Sequence, residues 1–217
     1  MYSVKEIFPT LQGEGAHAGR AAIFCRFTGC NLWSGREEDR STAICQFCDT
    51  DFIGVDGIGG GKFTTANALA NAIEVAWQTT AAGPHYRYVV FTGGEPLLQL
   101  DAALIEALHA KQFEIAVETN GTLPVPAGID WVCVSPKAGM ELVVKQADEI
   151  KLAIPQNGHT QLELLLKRFE GMDYRHRFLQ PIDGLERDSN TSFAVQLCQK
   201  RPLWRLSLQT HKYMGMP

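Results

Sequence analysis

The chain has 217 residues, of which 45% are hydrophobic and 20% charged, with a net charge of −4 and six cysteines. This composition excludes a disordered chain, and the scattered basic residues argue against direct binding of nucleic acid. No apolar run approaches the roughly 20 residues of a membrane span, and the first ten residues lack a signal-peptide pattern, so we expect a cytoplasmic protein without a membrane partner.

Short apolar runs rich in Val, Ile or Phe predict a series of buried strands. In chain order they are Tyr2–Ile7, Ala21–Phe27, Tyr88–Thr92, Ile115–Thr119, Trp131–Ser135, Glu149–Ile154, Phe178–Gln180 and Trp204–Leu208. Apolar residues at helical spacing predict helices between several of these strands. The predicted helices are Thr64–Thr80, Pro96–Lys111, Thr160–Phe169 and Asn190–Lys200.

Strands that alternate with helices predict a parallel sheet with right-handed crossovers. The link between Thr119 and Trp131 is too short for a crossover helix, and a complete eight-unit barrel takes about 250 residues. We therefore expect an α/β fold, an incomplete (β/α) TIM-like barrel with some helices shortened or missing. Residues 1–217 are expected to form a single domain.

Polar or conformationally special residues recur where the predicted strands end. They are Gly29-Cys30, Gly93 to Pro96, Asn120-Gly121, Ser135 to Lys137, Gln180-Pro181 and Gln209 to His211. In parallel α/β folds, the loops at the carboxyl ends of the strands build the active site. We expect these residues to share one site, with the tail 209–217 near its mouth.

Three cysteines form the sharpest chemical pattern in the chain. Cys30 follows a strand, and the pair Cys45 and Cys48 comes after a 14-residue interval. Soft thiolates bind iron–sulfur clusters and also zinc, so the spacing alone leaves both metals open. Zinc would need a fourth ligand such as His17, or an open position. The other cysteines, Cys25, Cys133 and Cys198, lie in apolar patterns typical of core residues.

The segment Cys45-Gln46-Phe47-Cys48 resembles the signature of the radical S-adenosylmethionine (SAM) superfamily, Cys-x3-Cys-x2-Cys with an aromatic residue before the last cysteine. This chain departs from it, because Ser34 stands where the second cysteine would be and residues 35–44 delay the pair. A second superfamily motif, Gly93-Gly94-Glu95-Pro96, follows the strand that begins at Tyr88. The resemblance implies a [4Fe–4S] cluster on the three cysteines and SAM as a second cofactor.

Other residues at strand ends suit the same cofactor. Glu118 and Asn120 offer polar groups for ribose hydroxyls, and Ser135 and Lys137 for ribose or a carboxylate. We expect Lys151 to be a structural or solvated residue. The whole set of expected SAM-binding residues is Phe47, Gly93, Gly94, Glu95, Glu118, Asn120, Ser135, Pro136, Lys137 and Gln180.

Blocks along nearly the full chain resemble the 7-carboxy-7-deazaguanine synthase family. They are 6–15, 26–32, 48–50, 92–96, 135–137, 178–184 and 207–212. The family includes members with a long insertion between the first two cysteines. The resemblance implies that a radical derived from SAM removes hydrogen from C6 of 6-carboxy-5,6,7,8-tetrahydropterin, after which the ring contracts and ammonia leaves. It also implies Mg²⁺ near Thr50, a flavodoxin or ferredoxin as electron donor, and a homodimer.

The same resemblance suggests which residues hold the pterin. Glu14 could accept hydrogen bonds from the amino group, and Arg26 could bind the carboxylate in a bidentate manner. His211 and the terminal carboxylate of Pro217 are expected to close over the substrate. The expected substrate-binding residues are Leu11, Gln12, Gly13, Glu14, Arg26, Thr92, His211 and Pro217.

Two alternatives remain at this point. Another radical SAM enzyme, such as a glycyl-radical activase, shares the cysteines and the Gly-Gly-Glu-Pro motif, but does not predict the blocks at 12–15 and 209–212. A zinc-binding structural or interaction protein accounts for the cysteines alone.

Overall fold

The computed structural model describes residues 1–80, 83, 85–156 and 159–216. In these ranges nine strands form one mixed sheet with the order β3-β1-β2-β4-β5-β6-β7-β8-β9. The strands are β1 (Tyr2–Leu11), β2 (Ala21–Phe27), β3 (Gly61–Phe63), β4 (Tyr88–Gly93), β5 (Glu114–Thr119), β6 (Trp131–Val134), β7 (Gln146–Ile154), β8 (Asp173–Pro181) and β9 (Arg205–Leu206).

The sheet is parallel from β2 through β4 to β9, which confirms the prediction. Its first edge is different, because β1 pairs antiparallel with both β2 and β3. The early strand is longer than predicted and reaches Leu11, and the short strand β3 was not predicted. The last strand, predicted over Trp204–Leu208, keeps only Arg205 and Leu206 in the ladder.

The helices are α1 (Ala66–Gln78), α2 (Ala102–His109), α3 (His159–Glu170), α4 (Arg187–Lys200) and α5 (Thr210–Met214), with 3-10 helices at Gly15–His17, Glu37–Thr42 and Pro96–Leu98. The prediction of one helix over Pro96–Lys111 is wrong. Asp101 breaks it, because its side chain accepts a hydrogen bond from the backbone of Leu104 and caps α2. The final helix α5 was not predicted.

Two hydrophobic cores hold the helices against the sheet. Helices α1 and α2 pack on the half formed by β1, β2, β4 and β5, where Leu69, Ile73 and Leu104 are fully buried. Helices α3 and α4 pack on the half formed by β6 to β9, around Leu166 and Trp204. As predicted, no helix joins β5 to β6 in the described chain.

The curved sheet is closed by a loop instead of a strand ladder. Among the described strands β9 does not pair with β1, and the segment after β1 fills the gap. The backbone N–H of Gly15 donates to Ser207 Oγ at 3.0 Å, and that of Thr210 donates to the carbonyl of Gly13 at 3.0 Å. The result is an incomplete (β/α) barrel. No helix of the described chain is long and apolar enough to cross a membrane.

Candidate active site

A cavity of about 430 Å³ opens at the carboxyl ends of the parallel strands. Its wall receives residues from β1, β2, β4, β5, β7 and β8, from the cysteine loop and from α5. These segments are far apart in sequence, and it is the barrel topology that brings them together.

The three cysteines Cys30, Cys45 and Cys48 line this cavity together. The Sγ of Cys30 accepts a hydrogen bond from the backbone of Leu32 at 3.4 Å. A hydrogen bond from the Cys45 thiol lowers the pKa of Cys48 to about 6. The arrangement therefore favours a thiolate ready to bind a soft metal.

The geometry does not fit the zinc site considered from the sequence. His17 lies away from the cysteines, because its Nδ1 is 2.8 Å from the Tyr88 hydroxyl and its ring centroid is 4.0 Å from that of Trp131. The three sulfur atoms, all in the described part of the chain, do not lie within 4.8 Å of one another. A tetrahedral zinc ion with bonds of ~2.3 Å would hold them about 3.8 Å apart.

The residues inserted after Cys30 brace the cysteine pair. Arg40 donates hydrogen bonds to the carbonyls of Gln46 at 2.8 Å and Cys48 at 2.9 Å, and its guanidinium lies 4.2 Å from the Trp33 ring centroid. Ser34 donates a 2.6 Å hydrogen bond to Asp39 and does not line the cavity. Sequence reasoning missed Arg40, because a lone arginine in a charged loop carries no local signal.

Gly93 and Gly94 allow the end of β4 to approach the loop that carries Cys30. A Cβ atom at Gly93 would lie 2.3 Å from the Phe27 carbonyl oxygen, and one at Gly94 would lie 2.1 Å from that of Gly29. Both positions therefore exclude any side chain.

Glu95 is placed differently from its neighbours. It is fully buried and does not line the cavity. Its carboxylate accepts hydrogen bonds from Thr119 Oγ1 at 2.8 Å, from the backbone of Asn120 at 2.8 Å and from the backbone of Leu97 at 3.0 Å. Burial raises its pKa despite these bonds. In this conformation Glu95 fastens β4 to the end of β5.

Of the other residues expected to bind the cofactor, all but Pro136 line the cavity. Lys137 donates to the carbonyl and the hydroxyl of Ser135 at 2.9 and 2.8 Å, and its Nζ lies 5.8 Å from the Phe47 ring centroid. Pro136 is not in the wall. The cavity residues of this group are Phe47, Gly93, Gly94, Glu118, Asn120, Ser135, Lys137 and Gln180.

Asn31 connects this group to the cysteine loop. Its Oδ1 accepts from Asn120 Nδ2 at 2.9 Å, and its Nδ2 donates to Thr122 Oγ1 at 2.8 Å. Asn31 was not predicted as a site residue, although its position directly after Cys30 was a signal for a role near the cysteine site.

Five of the residues expected to bind the substrate line the cavity, namely Gln12, Glu14, Arg26, Thr92 and His211. Leu11 and Gly13 do not line the cavity, and Pro217 lies outside the described residues. Gly13 packs against His211, since a Cβ there would be 2.2 Å from Nδ1 of the imidazole. The Arg26 Nε donates to Glu6 Oε1 at 2.7 Å, so this arginine is already fixed by an ion pair.

Lys151 was expected to be structural or solvated, and the structure excludes the solvated alternative, because the residue is a buried part of the cavity wall. Its side chain is only 5% exposed, and its Nζ lies 2.5 Å from Glu14 Oε2 and 2.8 Å from Glu118 Oε2. Although burial opposes it, Lys151 lowers the pKa of Glu14 to about 2. Burial would likewise lower the pKa of Lys151, but the acidic groups around it raise that pKa well above its usual value.

Side chains with oxygen atoms follow the last cysteine. Thr50 lines the cavity, and its neighbours Asp49 and Asp51 pair with Lys212 at 2.6 Å and Lys5 at 2.9 Å. A hydroxyl among carboxylates suits Mg²⁺ more than a soft metal.

Comparison with known proteins agrees with this geometry. Residues 40–153 match the family described as the Radical SAM superfamily. The 7-carboxy-7-deazaguanine synthases of Caulobacter vibrioides and Bordetella pertussis are each 59% identical to the chain, covering 100% of it and 99% of their own length. The crystal structure of QueE from Escherichia coli is 30% identical, with a TM-score of 0.70 over 97% of this chain and 94% of that one.

Proposed function

Because the chain belongs to the 7-carboxy-7-deazaguanine synthase family of the radical SAM superfamily, we propose that its cavity converts 6-carboxy-5,6,7,8-tetrahydropterin to 7-carboxy-7-deazaguanine with loss of ammonia. The observation that carries the proposal is that the three cysteines line the same cavity as Gln12 and Glu14. The relatives that match over the full length favour this activity over that of a glycyl-radical activase. The product belongs to queuosine and 7-deazapurine biosynthesis.

The chain is a radical SAM enzyme that uses a [4Fe–4S] cluster and SAM. The residues present fit the cluster, since three thiols and no fourth cysteine face the cavity in the described chain. Cys30, Cys45 and Cys48 would hold it and leave one iron without a protein ligand. When bound, the cluster and SAM supply the radical that removes hydrogen from C6 of the substrate.

The chain itself binds and orients the pterin. Glu14 is ionised and its side chain is only 15% exposed, so its carboxylate accepts hydrogen bonds from the amino edge of the ring. Arg26 lies across the same cavity as a donor for the substrate carboxylate, held in place by Glu6. His211 covers the ring from α5, and the barrel wall excludes water around the reacting carbon.

Thr50 would contribute the hydroxyl ligand of Mg²⁺, with the substrate and water supplying the other oxygen atoms. A one-electron donor such as flavodoxin or ferredoxin would reduce the cluster. The enzyme would act as a homodimer in the cytoplasm, and residues 1–217 would form one domain whose tail 209–217 lies at the cavity mouth.

An anaerobic assay with dithionite, SAM and the carboxytetrahydropterin tests the proposal. We expect 7-carboxy-7-deazaguanine to form without net consumption of SAM, and Cys48→Ala to abolish both product and SAM cleavage. Glu14→Gln should lose product formation while it keeps slow SAM cleavage. If the wild-type protein cleaved SAM in the presence of the pterin but formed no 7-carboxy-7-deazaguanine, the proposed substrate would be wrong.

A further inference from the structure

A dense group of acidic side chains surrounds Glu118, a residue of the cavity wall, although Cys133 and Glu149 of this group do not themselves line the cavity. The ligand atoms of Glu118, Cys133 and Glu149 lie within 4.8 Å of one another, and Glu14 reaches the same place from the loop after β1. Glu149 is only 2% exposed and accepts a hydrogen bond from the backbone of Ala16 at 2.8 Å. So many buried acids require a compensating cation.

Lys151 is that cation, and it removes the need for a metal ion there. Its ammonium group contacts Glu14 and Glu118 at 2.5 and 2.8 Å, and it projects from β7 two residues after Glu149. Burial raises the pKa of Glu149, which favours its neutral form. One lysine therefore compensates the carboxylates that line the cavity.

We propose that Lys151 is a positioning residue, whose ammonium group fixes the carboxylates of Glu14 and Glu118 and so joins the pterin subsite to the SAM subsite. This inference rests on the proposed function, in which Glu14 binds the pterin and Glu118 the ribose. Lys151 acts through these two carboxylates and not on the reacting atoms.

The hydrogen bonds of Glu14 explain why its position depends on Lys151. Its carboxylate takes one contact from Lys151, one from Gln209 Nε2 at 3.1 Å and one from the side chain of Gln180. A carboxylate has about four acceptor sites, so the protein occupies most of them and leaves one direction for the substrate. In the absence of the Lys151 ammonium group, the carboxylates of Glu14 and Glu118 would repel each other.

The test compares Lys151→Met with Lys151→Arg in anaerobic steady-state kinetics of the cluster-loaded enzyme. Lys145→Met is the control, because Lys145 is exposed just before the same strand. We expect Lys151→Met to raise the KM for the pterin by at least about 10-fold, as for a broken buried ion pair. Iron content should stay within about twofold of wild type, because Lys151 contacts carboxylates and not the cysteines. The SAM concentration that half-saturates the slow cleavage without pterin should rise, because Lys151 also holds Glu118.

The pH profile of kcat/KM separates this role from simple loss of packing. The titratable or charged groups that face Glu14 are Lys151 of β7, Glu118 of β5 and His211 of α5. Without the ammonium group the pKa of Glu14 rises, so the acid limb of the kcat/KM profile of Lys151→Met should move to higher pH. Lys151→Arg keeps the charge and should leave the limb in place. An unchanged KM and acid limb in Lys151→Met would overturn the proposal.

A double variant keeps the proposal testable if Lys151→Met folds poorly. Lys151→Met with Glu14→Gln removes the cation together with one carboxylate, and its dissociation constant for the pterin should match that of Glu14→Gln within about twofold. A further loss of 10-fold or more would show that Lys151 acts independently of Glu14. If wild-type enzyme formed no product at all, the proposed function would fail first, and these variants would then be judged by SAM affinity, which Lys151→Met should weaken through Glu118.

Discussion

Lys212 of α5 donates a 2.6 Å hydrogen bond to Asp49, the residue that directly follows the last cluster cysteine. The same ammonium group donates to Asp183 at 2.9 Å, just beyond the end of β8. The tail, the cysteine loop and the loop after β8 are thus tied at one point on the cavity rim. This contact holds the tail beside the cysteine loop and over the proposed substrate subsite.

We expect Lys212→Met to raise the KM for the pterin about two- to fivefold, because the tail loses its tie to Asp49. The effect is modest, since the Asp49 side chain is 54% exposed and such ion pairs contribute ~0.2–1 kcal/mol each. Salt should raise the KM of the wild type toward that of the variant. Lys62→Met, an exposed substitution in β3, is the control. A KM of Lys212→Met equal to that of wild type at low salt would contradict the prediction.

Much of the site could be predicted because the spacing of apolar residues along the sequence indicates which segments are buried strands. Apolar runs marked the strands, and their carboxyl ends placed Cys30, Gly93 and Asn120 at one mouth once the sheet was taken as parallel. The contact between Lys212 and Asp49 could not be predicted, because it joins residues 163 positions apart and neither belongs to a periodic pattern.

Lys151 was missed for a different reason. It lies in a strand that was predicted from its apolar residues, and a single charged residue in such a strand is usually structural or solvated. Glu149 and Lys151 alternate with Ile150 and Leu152, and side chains two apart in a strand face the same side. A carboxylate and an ammonium group on one face of a buried strand were therefore a usable signal for a charged interior.

Gly13→Ala should impair substrate binding through His211. The added Cβ would lie 2.2 Å from Nδ1 of His211, so the imidazole must move away from its place over the cavity. Overpacking of this kind costs about 1–3 kcal/mol, which corresponds to a rise in KM of roughly 5- to 150-fold. Gly171→Ala is the control, because its nearest neighbour would lie at an ordinary 3.7 Å. Equal KM values for both variants would show that His211 does not contact the pterin.

His17 should make the folded state sensitive to mild acid. Burial lowers the pKa of His17 in the folded chain, where it lies between Tyr88 and Trp131. Its neutral form is thus favoured on folding, and the stability it contributes is lost as the pH falls below the unfolded pKa of about 6.5. His17→Gln should flatten the decline of the thermal midpoint between about pH 7 and pH 5. His85→Gln, an exposed substitution, should not. Parallel curves for wild type and His17→Gln would refute this assignment.

Arg40→Met should shorten the lifetime of the cluster without preventing its assembly. Arg40 holds the carbonyls of Gln46 and Cys48, and hydrogen bonds from a charged donor are worth about 1.5–3 kcal/mol before discounting for its partial exposure. We therefore expect iron to be lost to a chelator about 10-fold faster than from wild type, with equal iron content after anaerobic reconstitution.

Three further variants serve as controls for that measurement. Arg36→Met lies in the same loop, but its side chain is 69% exposed and its nearest carboxylate is 3.7 Å away, so iron loss should match wild type. Cys48→Ala removes a ligand and should bind no intact cluster, whereas Cys198→Ala on α4 should bind the normal amount. If Arg40→Met and Arg36→Met lost iron at the same rate, the inserted loop would not brace the cysteine pair.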